Sequence, residues 1–218
     1  MPVRAVRIAH GPDTSARAPR CPGFGSYCGE KEGTAVEEIV ALYDDAGRPS
    51  GSAPRSRVRA ENLRHGTTGI LVFDSAGRIY VHRRTPVKDV YPGLRDFCAG
   101  GVLLAGESPD DGAAREAFEE LGVHGVALRP VGVRAYADAR TRFVCFQYVC
   151  TYDGAVVHQP EEVASGEWMA PADLLAAVAA DPADFVPDSV ELALHLVSAG
   201  GGSGQDSSDE SAARRIDG

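Results

Sequence analysis

The chain has 218 residues, 44% of them hydrophobic and 24% charged, the balance of a globular protein with a sizeable core. Its formal net charge of −9 argues against general attraction to nucleic-acid polymers, so an activity on phosphates needs a local cation cluster or a bound metal. No run approaches the roughly 18 apolar residues of a membrane span, and no apolar segment follows Arg4 and Arg7 to complete a signal peptide. The five cysteines (Cys21, Cys28, Cys98, Cys145 and Cys150) are odd in number and match no zinc spacing, so they read as free thiols of a reducing cytoplasm.

Residues 1–35 are rich in Gly, Pro, Ser and Arg without sustained periodicity and are expected to be disordered, as is the low-complexity tail 200–218. The charges of the two ends cancel, which leaves a single domain over 36–199 carrying the whole −9. Within it, "EEIVALYDDAGRPSG" predicts a strand, a turn and a return. "RSRVRAENLRHG" predicts a short helix, and "TGILVFDSAGRIYVHRR" a β-hairpin around a turn ending in Gly77. "VALRPVGVRAYADARTRFVCFQYVCTY" predicts a second strand pair reversing near Ala139. "PADLLAAVAAD" and "VPDSVELALHLVSAG" have helical spacing behind an early proline. Helices mixed with antiparallel hairpins point to an α/β sandwich.

Between the hairpins lies "GVLLAGESPDDGAAREAFEELGV", residues 101–123. Ser108 suits an N-cap, Pro109 the first helical position, Asp111 the capping-box position and Gly122 a left-handed stop. At about 100° per residue, Glu116, Glu119 and Glu120 share an arc of about 100°. Ala114, Ala117, Phe118 and Leu121 are expected on the opposite, buried side. Three like charges so close repel by a few tenths of a kcal/mol per pair, about what one arginine, Arg115, relieves in part. A hard divalent cation would offset the rest, because carboxylate oxygens are the ligands Mg²⁺ accepts. A solvated glutamate face is the alternative.

The segment fits G-x5-E-x7-R-E-U-x-E-E-x-G-U, where U is aliphatic or small, with Gly101, Glu107, Arg115, Glu116, Glu119, Glu120 and Gly122 in the fixed places. A chance match of seven fixed residues is an event of order one in a million at average composition. The segment is the Nudix box, and residues 36–199 resemble the Nudix hydrolases throughout. The resemblance implies an α/β/α sandwich with a mixed sheet and a catalytic loop–helix–loop. It also implies Mg²⁺ (Mn²⁺ as a substitute) and hydrolysis of a small-molecule diphosphate linked to a group X. Carried over by position, Glu116, Glu119 and Glu120 are metal-binding acids, and Gly101 lends its carbonyl. Glu107 and Arg115 are supports. Glu162, placed before Glu167-Trp168 as in a nucleotide-sanitising branch of the family, is a candidate metal ligand or base, with a plain loop acid as the alternative. A homo-oligomer is compatible with the resemblance.

A second stretch, "HRRTPVKDVYPGLRDF", resembles the diphosphate-holding region of isopentenyl-diphosphate isomerases, which share this fold; there Arg84, Lys88 and Tyr91-Pro92-Gly93 match. Arg suits bidentate phosphate contact and Lys a point charge. The isomerase chemistry itself is not matched. Gly100 and Val102 stand where its cysteine and histidine belong, Cys98 is displaced, and Phe143 occupies the place of an essential acid. His65 matches one ligand position of those enzymes and is taken as structural. Hydrolysis is therefore the leading reading, ahead of an isomerase with displaced groups and of a non-catalytic binding module.

Overall fold

The computed structural model describes residues 37–200; the expectations for residues 1–35, Cys21 and Cys28 among them, and for the tail beyond residue 200 lie outside the described residues. The elements run β1 (Ile39–Tyr43), β2 (Pro49–Pro54), α1 (Arg55–Ala60), β3 (His65–Phe73), β4 (Ile79–Arg84), β5 (Arg95–Asp96), α2 (Pro109–Leu121), β6 (Arg129–Ala137), β7 (Arg142–Thr151), β8 (Val163–Met169), α3 (Pro171–Ala180) and α4 (Pro187–Gly200). None of these helices is long and apolar enough to cross a membrane.

One mixed sheet carries two helical layers, the α/β/α sandwich expected. Strand alternation divides its side chains. Ile70, Val72 and Tyr148 pack under α2 with Ala113, Ala117 and Leu121. Leu71, Phe73, Ile79 and Val81 face Leu174 and Val178 of α3 and Ala193 and Val197 of α4. The longest pairing is parallel, β3 with β7, in register from His65–Phe143 to Phe73–Thr151. β6 pairs antiparallel with β7 as its hairpin predicts.

The hairpin β3–β4 departs from expectation. The two strands pair at Phe73–Ile79 and then diverge, β4 taking β8 and β5 as partners. The strand β8 was not anticipated in "EEVASGEWM". What separates β3 from β4 is the glycine-containing strip 99–104, which adds to the free side of β3: Ile70 and Ala99 exchange backbone hydrogen bonds at 2.7 and 2.9 Å, Thr68 N donates to Gly101 O at 2.9 Å, and Leu103 N donates to Gly66 O at 2.9 Å. Ala41 N then donates to Leu103 O at 2.8 Å, so β1 closes the far side of the strip. The start of the acidic motif is thus built into the sheet.

α2 forms where its caps predict. Ser108 Oγ accepts from Asp111 N at 3.2 Å and donates to Asp111 Oδ2 at 2.7 Å, and Gly122 ends the helix at φ 69°. Its orientation differs from the expected one. Ala114 is exposed and Phe118 is 57% exposed, whereas Glu120 is 2% exposed. The face turned to the sheet runs through Ala113, Ala117, Glu120 and Leu121, because the sheet at this point is the narrow glycine strip, which leaves space for a carboxylate.

Gly100 is the tightest point of that strip. It has φ 153°, and a Cβ there would strike the Thr68 carbonyl, whose carbon lies 2.8 Å away. Gly100→Ala is expected to lower the unfolding free energy by about 2–4 kcal/mol, since both the backbone angle and the neighbouring strand resist a side chain. A urea midpoint within error of the wild type would refute this account of the strip.

Candidate active site

The strip, α2 and the β4–β5 loop enclose a cleft of about 220 Å³. Arg84, Lys88, Gly101, Arg115, Glu116 and Glu119 all line it, and so does Glu162 from the loop before β8. Residues widely separated in the chain, from the two stretches singled out in the sequence, therefore share one cavity. Glu107 and Glu120 lie behind its surface and bond to groups that form it.

Arg115 organises the acidic side. Nε and Nη2 donate to the two oxygens of Glu107 at 2.8 and 3.0 Å, and Nη2 also reaches Val102 O at 3.1 Å. Nη1 donates to Glu116 Oε1 at 2.7 Å and to Glu119 Oε2 at 3.0 Å. Glu107 Oε2 accepts in addition from Leu104 N at 2.9 Å, and the arginine holds the Glu107 carboxyl below its ordinary range despite burial. Loop and helix are tied through one guanidinium.

Glu116 and Glu120 are pushed the other way. Burial raises both, Glu120 to about 7; Arg115 opposes the shift of Glu116, while Lys88 opposes and Glu116 reinforces that of Glu120. Glu120 Oε2 accepts from Gly100 N at 3.0 Å. A Cβ at Gly101 would collide with the Glu116 carboxylate, so the second glycine of the pair makes room for the acid. Gly101 O already accepts one bond, from Thr68 N, and retains its second lone pair.

On the opposite wall Arg84 is largely buried. Its Nη2 donates to Val90 O at 3.1 Å, its Nη1 stands 3.8 Å from Asp96 Oδ2, and its Nε has no partner among the described residues. Lys88 donates to Glu162. The loops bearing this pair are joined by Thr85, whose N and Oγ1 donate to Glu162 O at 3.0 Å and Glu161 O at 2.7 Å. Gln159 N donates to Glu120 O at 3.1 Å and fixes the Glu162 loop to the end of α2.

Four contributors escaped sequence reasoning. Arg55 and Arg59 of α1 line the cleft, paired to Glu38 at 2.6 Å and to Asp89 at 3.0 Å. Their i, i+4 spacing in "RSRVR" was the available signal. Asp188 and Ser189 enter from the first turn of α4, far along the chain, and no local pattern marks them. His65 lines the cleft too, but it is buried, its Nδ1 lies 2.9 Å from Leu63 O, and burial depresses its pKa to about 4. Cys98, Cys145 and Cys150 are free thiols.

A model of the NUDIX domain matches residues 63–189, more than half of the chain and all of this cleft apart from Glu38, α1 and Leu192 and Ala193 of α4. The chain belongs to the Nudix family. It is 42% identical to an uncharacterised Nudix hydrolase of Rhodococcus erythropolis, over 71% of this chain and 89% of the relative. It is 39% identical to one of Pseudomonas aeruginosa, over 73% and 94%. The crystal structure of DR0079 from Deinococcus radiodurans has the same fold, with a TM-score of 0.61 at 24% identity, over 74% of this chain and 98% of that one. The protein is accordingly a Nudix hydrolase, an enzyme of pyrophosphate bonds.

Asp188 supplies a pH signature within this Nudix cleft. Burial, with Asp96 adding to it and Arg84 opposing, raises its carboxyl to about 7. Between about pH 4 and 7 the unfolded chain releases this proton while the folded chain retains it, so the group lowers stability as pH rises through that window. Asp188→Asn is expected to match the wild type near pH 4 and to exceed it by about 1–3 kcal/mol at pH 8. Equal unfolding free energies at both pH values would contradict the assignment.

Proposed function

We propose that this Nudix hydrolase is a divalent-cation-dependent pyrophosphohydrolase. Its cofactor is Mg²⁺, with Mn²⁺ able to substitute, and its substrate is a small-molecule diphosphate, such as a nucleoside diphosphate, linked to a group X. The observation that carries the reading is the meeting, in one cleft, of Arg84 and Lys88 on one wall with Glu116, Glu119 and the Arg115 brace on the other.

The donor set fits a hard cation: all its side-chain groups are oxygens, and Glu120 is buried with a backbone amide but no ion-pair partner among the described residues. Among the described residues no three acidic, cysteine or histidine side chains already stand in ligating geometry. Glu116 and Glu119 are turned to Arg115 instead, so the set closes by side-chain rotation. Glu116, Glu119 and Glu120, with the Gly101 carbonyl, are the proposed ligands. A bound cation withdraws charge from the bridging phosphates and lowers the pKa of water.

The chain's own residues do the rest. Arg84 and Lys88 hold the diphosphate, and its arrival at Lys88 releases Glu162 from the ion pair. A freed carboxylate, from Glu162 or the glutamate trio, takes the proton of the attacking water. The new P–O bond forms as the bridging P–O bond breaks, giving two phosphate-ended products. Glu107 and Arg115 keep the loop and the acids in position.

Phosphate release from nucleotide, sugar, dinucleotide and prenyl diphosphates with Mg²⁺ tests the activity. Glu120→Gln retains shape but removes a charge, and is expected to reduce turnover by roughly two orders of magnitude without loss of folding. Near-wild-type turnover would remove Glu120 from the site. Arg84→Ala and Lys88→Ala are expected to lower kcat/KM by about one to two decades, the cost of a charge-assisted hydrogen bond. Their Mg²⁺ affinity should persist; loss of Mg²⁺ binding at constant KM would make them braces of the acidic helix instead.

Cys98 separates hydrolysis from isomerisation. Burial and the nearby Asp96 push its thiol well above the ordinary range, and its Sγ belongs to the wall rather than to an acid–base pair. Cys98→Ser should preserve hydrolysis to within about threefold, an effect below 1 kcal/mol. Isoprenoid interconversion that depends on Cys98 would reverse this assignment.

A further inference from the structure

The cleft continues inward, past the diphosphate clamp, to the α4 side of the sheet. The β3–β7 register sets Thr67 beside Cys145 and Gly69 beside Gln147, and all four line the floor. The first turn of α4 brings Asp188 and Ser189 to the same end, opposite Asp96.

Hydrogen-bond capacity there is unbalanced. Asp96 Oδ1 accepts from Cys98 N at 3.0 Å and from Ser189 Oγ at 2.6 Å, but Oδ2 has only Arg84 at 3.8 Å, beyond hydrogen-bond range. Asp188 has one weak contact, Ser189 Oγ at 3.5 Å from Oδ1, and no ion pair among the described residues. It lies deep among protein atoms yet keeps accessible surface, which the cleft supplies. Buried polar groups in a finished structure are normally satisfied, so a deeply set carboxyl that is under-paired and keeps surface on the cavity, as Asp188 does, marks a group awaiting a ligand.

Resting on the hydrolase reading of the cleft, we propose that this inner end, between Asp96 and Asp188, is the subsite for the group X, and that it takes a small X bearing hydrogen-bond donors, hydroxyl or ammonium. The under-paired groups that face this end are the carboxyls of Asp96 and Asp188, which a ligand carrying hydrogen-bond donors satisfies. A prenyl or other hydrocarbon chain would bury both acids without partners, and a site built for hydrogen bonding rejects an analogue that lacks the polar group. Size points the same way. At about 220 Å³ the cleft is below the range of roughly 300–1,000 Å³ for drug-sized ligands, so the group held at its inner end is small.

The test is equilibrium binding, by titration calorimetry with Mg²⁺ present, of methylenebisphosphonate and its propyl, dihydroxypropyl and aminopropyl monoesters, none of which can be hydrolysed at the P–C–P bridge. The wild type is expected to bind the dihydroxypropyl or the aminopropyl ester at least about tenfold more tightly than the propyl ester. Preference for the first identifies hydroxyls as the ligand chemistry, preference for the second an ammonium. In Asp188→Leu the preference should collapse or invert. Asp188→Asn, which keeps the volume, should lose discrimination for the ammonium ester and retain it for the hydroxylated one. Wild-type binding of the parent bisphosphonate with equal affinity for all three esters, or a lead for propyl, would overturn the subsite and leave the hydrolase reading intact. No binding of the parent compound would overturn both.

Discussion

The acidic side of the cleft depends on one half-buried guanidinium. The five N–H donors of Arg115 reach Glu107, Glu116, Glu119 and the Val102 carbonyl. Its planar fork satisfies the two oxygens of Glu107 from one side and keeps Nη1 for the helix, which a lysine's compact charge could not do. The strip 99–104 and α2 are thereby held at a fixed distance. The same contact relieves repulsion among acids that would otherwise resist sharing a helix face.

The glycines set how close that approach becomes. Gly100 lies under the Thr68 carbonyl and donates to Glu120, while Gly101 leaves the volume that the Glu116 carboxylate fills. Glu120 is therefore buried against backbone instead of pointing to water, and its acidity is weakened by the lost solvation. A buried carboxylate short of positive charge is a poor structural element on its own. The proposed cation site would supply the missing charge.

The walls of the cleft are paired to each other in the described structure: Lys88 with Glu162, Arg55 with Glu38, Arg59 with Asp89. Each pair keeps a cation poised at low desolvation cost. On the proposed reading, a polyanionic substrate would compete for these cations and exchange one set of charge-assisted contacts for another. At the α4 end Asp188 has no ion pair among the described residues and Asp96 has only the 3.8 Å approach of Arg84, so paired charge gives way there to under-paired acid.

Much of this was legible in the sequence because it is local. Ser108, Pro109 and Gly122 mark the ends of α2 through backbone chemistry that acts within one turn. The hairpin β6–β7, the helices α3 and α4 and the spacing of Arg115 among its glutamates follow from periodicity alone. The site residues of the two sequence stretches could be named for the same reason, since each motif lies on a short run of chain. What required the tertiary structure was every feature set by a partner distant in the chain. The face that α2 presents is decided by the width of the strip it meets, so Phe118 turns outward and Glu120 inward, against the amphipathic expectation. The parting of β3 from β4 is decided by backbone hydrogen bonds offered by residues 99–104. Asp188 enters the cleft because α4 docks there. Burial is a property of what surrounds a side chain, and periodicity carries no record of which surroundings arrive from elsewhere in the chain.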